Sequence, residues 1–144
     1  RFSVVGPSLD GSIEELKAGA PRNMDFTGLV SHEAISELYG RAKVYCQLSM
    51  MESFGMAVVE SMSCACIPVV SSTGALPEVV GDSGLVVPFG DVDATANAVR
   101  EALDKGDGRK ALQGSGRSAR AFQFPAPCER DVRARLAVSS RSAS

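Results

Sequence analysis

Short runs rich in β-branched residues alternate with amphipathic helical patterns along most of this chain, and this alternation constrains the fold more than any other feature. Helical patterns placed between strands are typical of a mostly parallel sheet covered by helices. Strands are predicted at residues 2–5, 24–27, 43–48, 67–71 and 84–87. The sequence therefore predicts the α/β class with a doubly wound parallel sheet.

Helix signals fall between and after these strands. Ser31 is the predicted N-cap of a helix over residues 32–41, and either Asp91 or Asp93 is predicted to cap a helix over residues 94–104. Beyond residue 124 the chain changes character, with prolines, several arginines and a closing run of serines. We therefore predict one compact domain over residues 1–124, followed over residues 125–144 by a C-terminal helix and a disordered end.

Composition excludes several classes of function. The chain has 144 residues with 44% hydrophobic content, which suits one compact core, and its net charge of -2 includes no basic stripe for nucleic acid. No apolar run approaches ~20 residues and no signal sequence opens the chain, so we expect a cytoplasmic protein. Cys64-x-Cys66, with a single histidine in the chain, lacks the ligands for a closed zinc site.

The segment Glu52-Ser-Phe-Gly-Met-Ala-Val-Val-Glu60 carries the strongest functional signal. Between Ser53 and Pro77 the only charged side chain is that of Glu60, and a carboxylate in such apolar surroundings needs a protein partner or a ligand. The segment is predicted to be a helix between the third and fourth strands, in which a rise of ~1.5 Å per residue places the two acids ~12 Å apart along the axis. That span suits a ligand with a sugar at one end and a ribose at the other.

Two structural alternatives compete with this interpretation. Glu60 could be an ordinary surface acid on an amphipathic helix. Glu52 could complete a capping box with Ser49, since the two residues fit the S-x-x-E pattern. The Phe54-Gly55 turn is the best candidate for contacting an anion, because the first amides of a helix are unpaired donors.

The motifs and their order resemble a known enzyme family. Between residues 4 and 88 the motifs occur in the order VVG, DFTG, SHEAISELYGRAKVYCQLS, ESFGMAVVESM, IPVVSSTGALPEVV and GLVVP, and the resemblance runs over about residues 4–124. Together they closely resemble the C-terminal, donor-binding domain of the retaining glycosyltransferases of family four, also called group 1. The resemblance implies a Rossmann-like sheet that forms the C-terminal half of a GT-B fold.

The resemblance also implies roles for individual residues. Glu52 falls on the catalytic acid, which orients and polarises the transferred sugar, and Glu60 falls on the acid that binds the ribose hydroxyls. The sugar and diphosphate are expected to contact the residues around the turn, namely Ser53, Phe54, Gly55 and Met56. The base is expected against the backbone of Gly28, Leu29 and Val30.

The implied reaction is retaining transfer of a glycosyl unit from a nucleotide-sugar to an acceptor hydroxyl in carbohydrate biosynthesis. No metal or other cofactor is expected, and nucleic acid is not an expected partner. A GT-B sugar-nucleotide epimerase and a noncatalytic nucleotide-sugar binding or interaction module remain alternatives.

The chain departs from the family in two respects. Related domains begin with a further strand and helix carrying an Arg and a Lys that neutralise the diphosphate, and they follow an N-terminal acceptor domain. We therefore expect a domain that is truncated at its N-terminal edge and inactive alone. A membrane-surface acceptor, with the full-length protein peripheral at the membrane, is left as an open alternative. The second departure is Cys64-Ala65-Cys66, where the family has a small residue followed by glycine.

Overall fold

A computed structural model describes residues 1–7 and 11–105 of the chain. The described residues form two compact units, one over residues 1–35 and one from residue 36 onward. The predicted domain boundary at residue 124 and the predicted C-terminal helix and tail lie outside the described residues.

The first unit is a parallel strand pair with its connecting helix. It contains β1 (Phe2–Val5), α1 (Ser12–Gly19) and β2 (Met24–Gly28), and the first residues of α2 (His32–Arg41). β1 pairs parallel with β2. The backbone N–H of Ala34 donates to Ser31 Oγ at 3.3 Å, which confirms Ser31 as the cap of α2.

The second unit is built on a three-stranded parallel sheet in the order β3-β4-β5. Its elements after α2 are β3 (Val44–Gln47), α3 (Met56–Ser63), β4 (Ile67–Ser71), α4 (Leu76–Val80), a 3₁₀ turn (Gly81–Ser83), β5 (Leu85–Val87) and α5 (Val92–Asp104). The N–H of Ala94 donates to Asp91 Oδ1 at 2.8 Å, so Asp91 rather than Asp93 caps α5.

The core of the second unit lies on both faces of β4, whose five residues are all buried. Successive side chains of a strand point to opposite faces. Val70 accordingly packs with residues of α3 and α4, whereas Val69 packs with residues of α5. This three-layer packing places the carboxyl ends of β3 and β4 at one edge, from which the loops before α3 and α4 begin.

The α/β class and the parallel strands are confirmed, and each strand lies within one residue of its predicted bounds. The pairing of the strands differs from the predicted single sheet. Among the described residues, backbone hydrogen bonds form two sheets, β1-β2 and β3-β4-β5. Runs of β-branched residues predict where strands occur, but they do not specify which strand edges hydrogen-bond.

Candidate functional site

Glu52 lies in a loop, and the prediction that Glu52 and Glu60 share one helix is wrong. α3 begins at Met56, and Gly55 is its N-cap with a left-handed backbone at φ 82°. Such a conformation cannot continue a right-handed helix and favours glycine. The ~12 Å separation calculated from the helical rise therefore does not apply to this pair.

The carboxylate of Glu52 turns toward the start of α3. Its Oε1 accepts a hydrogen bond from the N–H of Gly55 at 3.2 Å, and the residue is half-buried. The capping box with Ser49 is also wrong, because no helix begins at Ser49. Glu52 instead satisfies one amide of the turn that precedes the helix.

The turn between Glu52 and α3 combines exposed side chains with a buried glycine. Ser53, Phe54 and Met56 are exposed, whereas Gly55 is buried. The left-handed backbone favours glycine at this position, and a Cβ there would lie 2.9 Å from Leu76 Cδ2, so the Leu76 side chain would have to shift. The turn is thereby held against α4 while its neighbouring side chains reach solvent.

Glu60 is half-buried on α3. Among the described residues, its carboxylate has no ion pair and no side-chain hydrogen bond. Burial raises the pKa of Tyr39 to about 12, and the negative charge of Glu60 adds to that rise. Glu60 therefore lies close to Tyr39, and within the described part of the chain its oxygens are not occupied by a cation.

A pair of tyrosines links the surroundings of the two acids. The rings of Tyr39 and Tyr45 lie 5.4 Å apart, edge to face. Burial is also the main cause of the raised pKa of Tyr45, to which the charges of Tyr39 and Glu52 add. The structure thus brings Glu52 to one member of this pair and Glu60 to the other, although the two acids belong to different local structures.

The predicted base-binding residues lie at the end of β2, in the first unit. Gly28 is the last residue of β2 and has a φ of 68°, and Leu29 follows it with 79% of its surface exposed. Val30 is half-buried. These three residues occupy the carboxyl end of a parallel strand, which is where ligands bind in doubly wound folds.

The loop after β4 supplies contacts to Glu52 that the sequence did not reveal. A Cβ at Gly74 would lie only 2.3 Å from the carbonyl oxygen of Glu52, and the N–H of Ala75 donates to that oxygen at 3.3 Å. Ser71 and Thr73 donate to the carbonyl of Ser49. The sequence signal that could have identified these contacts is the glycine-containing loop that follows β4, the strand next to β3.

Among the residues that the structure describes, no group of three or more His, Cys, Asp or Glu side chains could hold a metal ion. No helix in the same residues has the length and apolar character needed to cross a bilayer. The expectations about cofactors and cellular location stay predictions.

Comparison with solved structures defines the class of fold. The chain is similar to sucrose-phosphate synthase from Thermosynechococcus elongatus, with a TM-score of 0.63 and 24% identity, over 99% of this chain and 39% of that one. It is also similar to HepE from Anabaena, solved in complex with UDP, with a TM-score of 0.72 and 20% identity, over 96% of this chain and 40% of that one. The architecture is that of the GT-B glycosyltransferases.

The family follows from the sequence. Residues 1–119 match the model of the glycosyl transferases group 1, and the chain belongs to this family. It is 37% identical over 99 residues to O-antigen chain mannosyltransferase B of Escherichia coli, covering 69% of this chain and 26% of that protein.

A second relative is the GDP-mannose-dependent alpha-(1-6)-phosphatidylinositol dimannoside mannosyltransferase of Mycobacterium tuberculosis. It is 36% identical over 102 residues, again covering 69% of this chain and 26% of the relative. The chain thus spans about a quarter of the length of these curated relatives.

Proposed function

We propose that this chain binds the nucleotide-sugar donor of a retaining glycosyltransferase. The observation that carries the proposal is that Glu60, half-buried on α3, has no ion pair and no side-chain hydrogen bond among the described residues, while Glu52 lies in the glycine turn before the same helix. A half-buried carboxylate is stabilised when hydroxyl groups donate to it. The diol of a ribose supplies two such donors.

Each part of the donor has proposed partners. Glu60 accepts hydrogen bonds from the ribose hydroxyls. The sugar and diphosphate contact Glu52 and the turn of Ser53, Phe54, Gly55 and Met56, whose backbone leads into the positive end of α3. The base lies against Gly28, Leu29 and Val30.

The reaction proposed for the whole protein is transfer of a hexosyl unit with retention of configuration. The bond from the anomeric carbon to the diphosphate oxygen breaks, and a bond from that carbon to the acceptor oxygen forms on the same face. The leaving phosphate takes the acceptor proton, and Glu52 orients and polarises the sugar. The matched family is one of transferases, which favours transfer over the epimerase alternative.

Mannose is the first sugar to test, because two relatives are named as mannosyltransferases. GDP and UDP are the first nucleotides, because one relative is named as GDP-mannose-dependent and one structural neighbour was solved with UDP. The inactivity of the chain alone stays a prediction, so the test measures binding rather than transfer.

The test is ligand-observed NMR of the chain with GDP-mannose, UDP-glucose and ADP-glucose. We expect one donor to bind, and Glu60→Ala to weaken its binding by about tenfold or more, because the variant loses hydrogen bonds to a charged group. Glu101→Ala is the matched control, since Glu101 is an exposed acid of α5, on the opposite face of the sheet from α3. Equal loss in both variants, or no binding to folded wild-type chain, would contradict the proposal.

A further inference from the structure

We propose that Ser71 and Thr73 are positioning residues for donor binding. Their hydroxyls, at and just after the end of β4, hold Ser49 and thereby fix the loop that carries Glu52. This inference rests on the function proposed above, in which the Glu52 loop contacts the sugar and diphosphate. It adds two residues whose hydroxyls bind the backbone of the loop rather than the side chain of either acid.

The carbonyl oxygen of Ser49 is the centre of the arrangement. Ser71 Oγ lies 2.6 Å from it and Thr73 Oγ1 lies 2.7 Å from it. The two hydroxyl oxygens also lie 2.9 Å from each other. Each hydroxyl has one proton, so the two hydroxyls together form two of these three hydrogen bonds at any moment. In every combination of two, at least one hydroxyl donates to the carbonyl of Ser49.

The side chain of Ser49 is held as well. Gln47 Nε2 donates to Ser49 Oγ at 2.6 Å, and the hydroxyl of Tyr45 donates to Gln47 Oε1 at 2.5 Å. Ser49 is therefore bound from β3 through its side chain and from β4 through its backbone. This double attachment fixes the start of the loop to both strands.

The attachment continues to the functional end of the loop. Glu52 follows Ser49 by three residues and accepts two hydrogen bonds. Its backbone carbonyl accepts one from the N–H of Ala75, and its side-chain Oε1 accepts the other from the N–H of Gly55. Between these points the side chains of Met50 and Met51 are 69% and 82% exposed, so they bury little apolar surface. Polar contacts, rather than a buried apolar side chain, therefore determine where this loop lies.

The variant that isolates this role is Thr73→Val. Valine keeps the β-branched shape but removes the hydroxyl, whereas Thr73→Ser keeps the hydroxyl and serves as the conservative rescue. We expect Thr73→Val to bind GDP-mannose about three- to tenfold more weakly, the usual effect of one lost hydrogen bond. The double variant Ser71→Ala/Thr73→Val, which leaves the Ser49 carbonyl without either donor, should lose more.

A second ligand separates positioning from general damage. GMP keeps the base and ribose but lacks the sugar and the second phosphate, so its binding should change little in Thr73→Val. A merely structural role would weaken GMP and GDP-mannose equally. Equal weakening, or failure of Thr73→Ser to restore GDP-mannose binding, overturns the proposal.

Amide hydrogen exchange gives a readout that needs no ligand. The N–H groups of Gly55 and Ala75 both donate to Glu52, whereas the N–H of Ile67 donates to Lys43 where β3 and β4 begin to pair. In Thr73→Val we expect faster exchange at Gly55 and Ala75, and unchanged exchange at Ile67.

This measurement also distinguishes the two proposals. If wild-type chain binds none of the three nucleotide-sugars GDP-mannose, UDP-glucose and ADP-glucose, the proposed function fails. Faster amide exchange at Gly55 and Ala75 alone in Thr73→Val would still support the conclusion that Thr73 fixes the Glu52 loop. Unchanged exchange at these two amides would overturn that conclusion.

Discussion

Among the described glycines, Gly74 leaves the least room for a side chain, and the atom that limits this room belongs to Glu52. The φ of Gly74 is 57°, and a Cβ would lie 2.3 Å from the backbone oxygen of Glu52, which cannot move as a flexible side-chain end could. We predict that Gly74→Ala displaces the Glu52 loop, lowers the free energy of unfolding by about 2–4 kcal/mol and weakens donor binding. Chemical denaturation and the NMR binding measurement test both effects.

Gly90→Ala is the control for this substitution. Gly90 is also left-handed, at φ 80°, but nothing lies within 4 Å of a Cβ built there. This variant has only the backbone cost, about 1–2 kcal/mol, and should bind the donor normally. If Gly74→Ala and Gly90→Ala lose the same stability and the same donor affinity, the close approach of residue 74 to the Glu52 carbonyl has no effect of its own.

Sequence reasoning singled out the two acids as candidate site residues but not the residues around them. Glu60 was predicted from a physical conflict, a single charge within an apolar run, which is visible along the chain. The contacts of Gly74 and Thr73 with the Glu52 loop depend on β3 lying beside β4. No local pattern encodes that neighbourhood, so these residues emerged only from the fold.

At the scale of elements, the end of α3 shows how the chain adapts to its unusual Cys64-Ala65-Cys66 sequence. The N–H of Cys66 donates to Ser61 O at 3.0 Å and the N–H of Ala65 donates to Met62 O at 2.9 Å. These two bonds form a Schellman motif, in which the residue after the C-cap is left-handed and usually glycine. Here that residue is Ala65, at φ 64°.

We predict that Ala65→Gly stabilises the chain by up to about 1 kcal/mol, because glycine adopts this conformation without the steric cost that alanine has. Ala96→Gly, inside α5, is the matched control and should destabilise by about 0.5–1 kcal/mol. Denaturant unfolding of both variants provides the comparison. A loss of stability in Ala65→Gly would show that the greater freedom of the unfolded chain outweighs the relief of strain.

The elements themselves were largely predictable. β-Branched runs mark the strands, and Ser31 and Asp91 mark helix starts, because these signals act locally. The start of α3 was not predicted correctly. Its apolar residues fit a helix that begins at Glu52, but Gly55 adopts a left-handed conformation that the hydrophobic pattern does not reveal.

At the scale of the whole molecule, the two tyrosines couple stability to alkaline pH. The chain contains only Tyr39 and Tyr45, and burial raises the pKa of both above the ordinary value of 10.0, to about 12 for Tyr39. Well below pH 10 both phenols are neutral in the folded and unfolded chain, so stability does not depend on their titration. Above pH 10 the unfolded chain loses these protons first, and the free energy of unfolding therefore falls as pH rises.

We predict that each tyrosine contributes at most ~1.4 kcal/mol per pH unit to this fall, because one phenol changes the number of bound protons by no more than one. Denaturant unfolding at several pH values gives the slope, and ultraviolet absorbance of phenolate shows when the folded chain ionises. Tyr39→Phe should reduce the slope, and Glu60→Gln should lower the pKa of Tyr39 by removing the neighbouring charge. Phenolate formation near pH 10 in chain that is still folded would contradict this prediction, because it would mean that the tyrosine pair is open to water.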